Sequence, residues 1–367
     1  MNLPPIPFPP HLRDLPVYQP GRPIEEVARE LGLDPAGIAK LASNENPLGP
    51  SPRAVEAMQE AVRNVHRYPD GNAYYLKQRL AAHLDVRPEH LILGNGSNEI
   101  IEFIGQALVG PDVEVVVSQY CFAIYPIVTL MFGGRPVVVD ARDYGHDLPA
   151  MRRAITAQTR AVFVANPNNP TGTLADPAEL RALVESVPAD VLLVVDEAYI
   201  EYLDDPLDLL PEVRSGARPN LLLLRTFSKI YGLAGLRLGY GIGHPDLIAL
   251  LEKIRQPFNA NAVAQAAALA ALDDADHVRR SRELNAAGLR FWHAALDEAG
   301  IEYVPSAANF VLVRVGDGGR VFTELQRRGV IVRPMGGYQL PEWVRISLGV
   351  PGENERALAA LREVLAG

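Results

Sequence analysis

Five short apolar runs punctuate the middle of the chain: "VEVVV" (113–117), "PVVV" (136–139), "AVFVA" (161–165), "VLLVV" (191–195) and "LLLL" (221–224). Each is continuous rather than alternating, so a strand built from it presents apolar side chains to both faces of a sheet. Such a sheet must be covered by helices, and helical patterns separate several of the runs, among them "DPAELRALVES" (176–186). The runs therefore predict an α/β chain with a largely parallel sheet between two helical layers. After Gly243 the pattern changes. "DLIALLEKI" and the alanine-rich stretch 261–300 read as helices. Shorter strands follow at "NFVLVRV" (309–315), "VIVRP" (330–334) and "WVRISLG" (343–349), with the helix "GRVFTELQRRG" between the first two. This predicts a smaller α+β lobe, with a boundary around 250–280.

A chain of 367 residues that is 48% hydrophobic is long enough for a large core and two lobes. Its 44 acidic and 35 basic residues give a formal net charge of −9, with no basic tract. That balance argues against a nucleic-acid groove or a polybasic membrane patch. The single cysteine, Cys121, has no partner for an internal disulfide, which fits a reducing compartment. With no adjacent histidine to activate it, it reads as a small buried apolar residue. The start "MNLPPIPFPPHLRDLP" lacks a basic opening and an uninterrupted apolar core, so it reads as an extended proline-rich arm rather than a signal peptide. No apolar stretch approaches the roughly 20 residues of a membrane helix. The expectation is a soluble, cytoplasmic protein.

Polar residues cluster where the apolar runs end. "NPNNPTG" (166–172) follows Ala165, "DEAY" (196–199) follows Val195 and "TFSK" (226–229) comes just after Leu224. In open α/β sheets ligands bind beyond the carboxyl ends of the strands, so these tails point to one shared site. An amine, a carboxylate and several phosphate donors suit pyridoxal 5′-phosphate. That cofactor needs a lysine for a Schiff base, a carboxylate at its ring nitrogen, and hydroxyls, N–H groups and a cation around its phosphate. Lys229, Asp196 and the group Thr226, Ser228 and Arg237 supply those parts. Taken singly, each also has a structural reading: Lys229 as the start of an exposed helix, Asp196 as a helix N-cap, Asn169 and Gly172 as turn builders, Phe122 and Tyr125 as core, Arg237 as a surface ion pair. Other chemistries lack their signatures. "GNGSNE" and "GYGIGH" do not complete GxGxxG, the eight histidines form no HExxH or paired cluster, and GxSxG is missing.

"SKIYGLAGLRLG" closely resembles the lysine motif of the fold-type I pyridoxal-phosphate aminotransferases of class II, with "NPNNPTG" and "DEAY" upstream in that family's order. The resemblance extends from "YQPGRPIEE" and "LASNENPLGPSP" through "RYPDG" and "GNGSNEII" to "SAANFVLVRV" and "VRISLG". It implies a large domain (46–260) with a mostly parallel seven-stranded sheet, a small α+β domain (261–367), and an N-terminal arm that also contributes to the small domain (1–45). Within the superfamily the chain is most similar to the histidinol-phosphate aminotransferase branch. Aromatic-amino-acid aminotransferases and threonine-phosphate decarboxylases share the scaffold and stay open as alternatives.

Carried over by motif, Lys229 holds the cofactor and later shuttles a proton, Asp196 pairs with the pyridine nitrogen, and Tyr199 and Asn169 hydrogen-bond the phenolic oxygen. Thr226, Ser228, Arg237 and the backbone N–H groups of Ser97 and Asn98 bind the phosphate. Phe122 stands where an aromatic ring stacks on the cofactor; many relatives carry tyrosine there, so any hydroxyl contact is missing. Tyr68 in "RYPD" resembles a tyrosine that reaches the neighbouring subunit's phosphate, implying a homodimer with shared active sites. Tyr18, Asn44, Asn169, Arg333 and Arg345 are the implied substrate-binding set. The implied substrates are L-histidinol phosphate with 2-oxoglutarate and glutamate, with no metal.

Overall fold

Seven strands form one sheet. In chain order they are β1 (Leu91–Gly94), β2 (Glu114–Ser118), β3 (Arg135–Val139), β4 (Thr159–Ala165), β5 (Leu192–Asp196), β6 (Leu221–Thr226) and β7 (Gly239–Gly243). Across the sheet they run β1-β7-β6-β5-β4-β2-β3, and every neighbouring pair is parallel except the two that involve β7. The structure, a computed structural model, describes residues 8–13 and 15–366, so the first seven residues of the proline-rich arm lie outside it.

The continuous apolar runs do what their pattern requires. Leu221 and Leu223 join one core with Leu80, Leu148, Leu180 and Leu183, whereas Leu222 and Leu224 join another with Ile100, Ile104, Val128 and Ile248. Adjacent residues of one strand thus feed opposite helical layers, as period-two geometry demands. Two strands are not among the five apolar runs. β1 is short, and β7 ("GYGIG") is glycine-rich because its neighbours crowd it. A Cβ on Gly239 would stand 2.3 Å from the backbone nitrogen of Ser97, and one on Gly241 would stand 3.0 Å from Ile92 Cγ2.

The second lobe holds a four-stranded antiparallel sheet in the order 333–334, 343–347, 310–314, 303–304. Helix Ala275–Ala299 covers it, with Trp292 fully buried and its Nε1 donating to Asn354 Oδ1 at 3.1 Å. The run "VIVRP" (330–334), read from sequence as one strand, serves two ladders. Val330–Ile331 pairs in parallel with Ala39–Lys40, and Arg333–Pro334 pairs antiparallel with the strand Trp343–Ser347. The N-terminal segment is thereby fixed to the second lobe. Helix Ala262–Leu272 falls in the range assigned to the small domain, yet Ala264, Ala267, Ala268 and Ala271 join the core of the seven-stranded sheet, against helices Pro52–Ala61 and Tyr74–Leu84.

Candidate active site

Because β4, β5 and β6 run parallel, their carboxyl ends share one edge of the sheet. The tails that follow them open onto a cavity of about 270 Å³. Its wall is completed by the start of helix Ser97–Leu108, the segment around Asn44, Tyr18 of the arm, and Arg333 and Arg345 of the second lobe. Of the cofactor- and substrate-binding residues that the resemblance implies, all but Tyr68 line this cavity.

Asp196, the last residue of β5, is buried. Its Oδ2 accepts from Tyr125 Oη at 2.7 Å and its Oδ1 from the Ala198 N–H at 3.1 Å. Burial pushes its pKa up, and the hydrogen bond from Tyr125, that from Ala198 and the charge of Lys229 oppose the shift. No helix begins there for it to cap: the next element, the short 3₁₀ turn Ile200–Tyr202, has Tyr199 at its N-cap. Tyr199 Oη accepts from Asn44 Nδ2 at 2.9 Å, and burial pushes the phenol up to about 12. Asn44 takes a positive φ of 55° and is pinned to the second lobe. Its N–H donates to Ser347 Oγ at 2.8 Å, and that hydroxyl donates to Asn44 Oδ1 at 3.0 Å.

Lys229 lies in a turn three residues beyond β6, not at the start of a helix. Its Nζ donates to the Ser43 carbonyl at 3.3 Å and stands 5.6 Å from the centroid of the Tyr199 ring. Lys40 and Lys77, by contrast, are ion-paired to Glu45 and Glu252. Burial, reinforced by Arg345 and Arg237, lowers the pKa of Lys229 to about 8, because a desolvated ammonium among cations gives up its proton more readily.

One end of the cavity is built for an anion. The first N–H groups of helix Ser97–Leu108 open toward it after Gly96, which has a φ of 75°. Thr226 and Ser228 flank them, with the Ser228 N–H donating to Thr226 Oγ1 at 3.1 Å. Arg237 adopts a φ of 54° and brings its guanidinium so close to Gly96 that a Cβ there would sit 2.5 Å from Nη2. Glycines at 96 and 239 are what let this arginine and the helix start converge.

The opposite wall carries the second cationic group. Arg345 is buried, with Nη1 donating to Asn169 Oδ1 at 2.5 Å, Nη2 to the Ala42 carbonyl at 2.9 Å, and Cζ 5.1 Å from the Phe310 ring centroid. Its Nε is buried without a partner. Arg333 stands beside it in register on the neighbouring strand, donates to the Gln19 carbonyl, and holds its Cζ 5.6 Å from the Tyr18 ring centroid. Neither guanidinium is bonded to a carboxylate among the described residues, so an incoming anion meets two unneutralised forks.

Sequence reasoning missed three contributors. Tyr125 read as core, yet its hydroxyl reaches Asp196; an aromatic spaced three residues after Phe122 gave no sign of that. Tyr338 lines the cavity from a 3₁₀ turn, and Ser43 supplies the carbonyl opposite Lys229. Backbone groups leave no trace in sequence. Tyr68 is 82% exposed and stacks on Phe258 with ring centroids 4.7 Å apart, away from its own chain's cavity. Cys121 is buried, its thiol pushed up to about 12 by burial, which suits packing rather than nucleophilic work. No cluster of three potential metal ligands occurs among the described residues, and none of their helices is long and apolar enough to cross a membrane.

A sequence model of the family "Aminotransferase class I and II" matches residues 36–361, and the chain belongs to that family. Its relatives narrow the branch. "Histidinol-phosphate aminotransferase 1" of Thiobacillus denitrificans is 54% identical over 359 residues, 98% of this chain and 93% of its own. The histidinol-phosphate aminotransferase of Akkermansia muciniphila is 51% identical over 97% of this chain and 98% of its own. Among solved structures, histidinol-phosphate aminotransferase from Sinorhizobium meliloti, in complex with pyridoxal-5′-phosphate, superposes with a TM-score of 0.89 at 32% identity, covering 98% of this chain and 97% of that one.

The lowered pKa of Lys229 has a direct readout. In cofactor-free protein, the rate at which acetic anhydride labels Lys229, followed by peptide mass spectrometry across pH, is expected to rise with a midpoint near 8. A midpoint near the ordinary lysine value of about 10.4 would show that burial does not shift it.

Proposed function

We propose that the protein is a pyridoxal 5′-phosphate-dependent transaminase that interconverts L-histidinol phosphate and 2-oxoglutarate with imidazole acetol phosphate and L-glutamate, a step of histidine biosynthesis in the cytoplasm. The observation that carries the substrate assignment is the pair Arg333 and Arg345, side by side in register, lining the same cavity as Lys229 and without a carboxylate partner among the described residues. Histidinol phosphate has no α-carboxylate, so the arginine that would otherwise grip that group is available for a phosphate. Two guanidinium groups and the Tyr18 phenol suit a dianion better than a single carboxylate. An aromatic-amino-acid substrate would leave one of the two cations uncompensated.

The residues present fit the cofactor. The glycine-lined cradle at Gly96 and Gly239 leaves room where a Cβ would intrude, beside Thr226, Ser228, Arg237 and the N–H groups of Ser97 and Asn98. These groups would hold the phosphate. Asp196 would meet the ring nitrogen, Phe122 would lie against the ring, and Tyr199 and Asn169 would reach its phenolic oxygen. When bound, pyridoxal phosphate supplies an aldehyde for amine condensation and a protonated ring that accepts the electron pair released at the substrate carbon.

The chain's own groups supply the rest. With a pKa of about 8, the amine of Lys229 is partly unprotonated near neutrality, so it can act as a nucleophile and afterwards carry the proton at the reacting carbon. Asp196 presents its carboxylate to the cavity at the end of β5, and the hydrogen bonds from Tyr125 and Ala198 and the charge of Lys229 favour its ionised form against the effect of burial. Arg333, Arg345 and Tyr18 anchor the substrate's far end and so orient its amine. Asn44 bridges Tyr199 and Ser347, tying the polar floor to the lobe that carries the arginines.

The substrate reading is tested by comparing kcat/KM for L-histidinol phosphate and L-phenylalanine in wild type and Arg333→Ala. Histidinol phosphate is expected to be the better wild-type substrate and to lose more, about 1.5–3 kcal/mol, as for a charge-assisted hydrogen bond. Equal losses, or a wild-type preference for phenylalanine, would assign the protein to the aromatic branch. The active form is read as a homodimer in which Tyr68, outside its own cavity, reaches the cofactor phosphate of a second copy. Mixing Lys229→Ala with Tyr68→Phe subunits should then create one intact site per heterodimer and raise activity above that of Tyr68→Phe alone. No such recovery would mean that Tyr68 serves its own chain or none.

A further inference from the structure

Asp196 is followed by a second buried acid that does not enter the cavity. Successive side chains at a strand end point to opposite sides. Asp196 lines the cavity and Glu197 does not; on the neighbouring strand Thr226 lines it and Arg225 does not. The two outward residues meet behind the site. Arg225 Nε donates to Glu197 Oε2 at 2.8 Å, with side-chain exposures of only 11% and 3%. The Glu197 N–H donates to the Leu224 carbonyl at 2.8 Å, extending the ladder in which Asp196 stands opposite Leu224. Tyr240 lies opposite Arg225 on β7, and Glu201 turns a buried Oε2 without a partner into the same region.

We propose that the Glu197–Arg225 pair is a positioning element of the active site, clamping the ends of β5 and β6 so that Asp196 and the Thr226–Lys229 segment keep their separation, and neutralising the carboxylate next to Asp196. The inference rests on the cofactor-binding roles given to Asp196 and Lys229 above. Two physical points support it. A buried ion pair gains little net stability over apolar side chains of similar volume, so stability alone gives no reason for it at this place. An unneutralised Glu197 carboxylate one residue from Asp196 would disfavour the charge that Asp196 presents to the cofactor ring. Burial already pushes both carboxyls up, so the guanidinium is the main compensation on that side.

The test uses holoenzyme loaded with pyridoxal phosphate labelled with ¹⁵N at the ring, in wild type, Asp196→Asn, Arg225→Lys, Arg225→Gln and the double variant Glu197→Met with Arg225→Met. The double variant removes both members of the pair together, so neither is left behind as a lone buried ion. It is expected to keep its melting temperature within a few degrees while kcat falls by roughly tenfold or more, as for a displaced catalytic group. KM should change by less than about threefold, cofactor affinity should weaken, and the ring-nitrogen resonance should move toward the unprotonated position. Arg225→Lys, which keeps the charge but not the fork, should restore part of kcat and of the resonance shift relative to the double variant. Should the double variant fail to fold, Arg225→Gln takes its place: it leaves the Glu197 carboxylate unneutralised, and the same shift of the resonance is expected. Wild-type kcat, affinity and resonance in the variant that folds would overturn the positioning role. If Asp196→Asn itself leaves the resonance and turnover unchanged, the assignment of Asp196 fails instead, and the two failures are thereby distinguished.

Discussion

Parallel pairing of β4, β5 and β6 obliges the polar tails "NPNNPTG", "DEAY" and "TFSK" to emerge side by side. Once there, they must be satisfied, because buried polar groups without partners are costly. Much of the site is the solution to that requirement. Tyr125 meets Asp196, Asn44 meets Tyr199, and Asn169 meets Arg345. The partners come from distant parts of the chain, so closing the site also fixes the N-terminal segment and the second lobe against the large sheet.

Charge is distributed against the grain of the whole molecule. A chain with a formal net charge of −9 lines its cavity with Lys229, Arg237, Arg333 and Arg345, and with Asp196 as the one carboxylate among the lining residues. Arg237 sits at the helix start and the pair Arg333 and Arg345 at the opposite wall, so the excess has two poles with the amine and the carboxylate between them. A molecule with a phosphate at one end and a ring needing a negative partner fits one pole, and a substrate with its own phosphate fits the other. The cationic surroundings also act on Lys229, whose amine is pushed toward its neutral, reactive form.

Much of this was legible in the sequence because it rests on period and order. Runs of apolar residues locate β2 to β6, and the tails of β4, β5 and β6 bring Asn169, Asp196, Tyr199, Ser228 and Lys229 to the cavity. What the sequence hid depends on contacts between distant segments. No apolar run marks β7, because its glycines answer a crowding by Ser97 and Ile92 that only the fold reveals. The run 330–334 changes ladders at Val332, which no apolar pattern signals. Tyr125 looked like core because its ring is core, stacked on Phe163 at 4.7 Å, while only its hydroxyl reaches the site. Nothing in the sequence order links Glu197 with Arg225; only the pairing of β5 and β6 places them together in the interior.

The central claim is that Lys229 is the amine to which the cofactor is joined. The chain has four lysines, Lys40, Lys77, Lys229 and Lys253, so the attachment point can be assigned without ambiguity. Borohydride reduction of the protein loaded with pyridoxal phosphate, followed by peptide mass mapping, should place the stable adduct on the peptide that contains Lys229 and leave the other three unmodified. An adduct on Lys40, Lys77 or Lys253 in place of Lys229, or no adduct at saturating cofactor, would contradict the account.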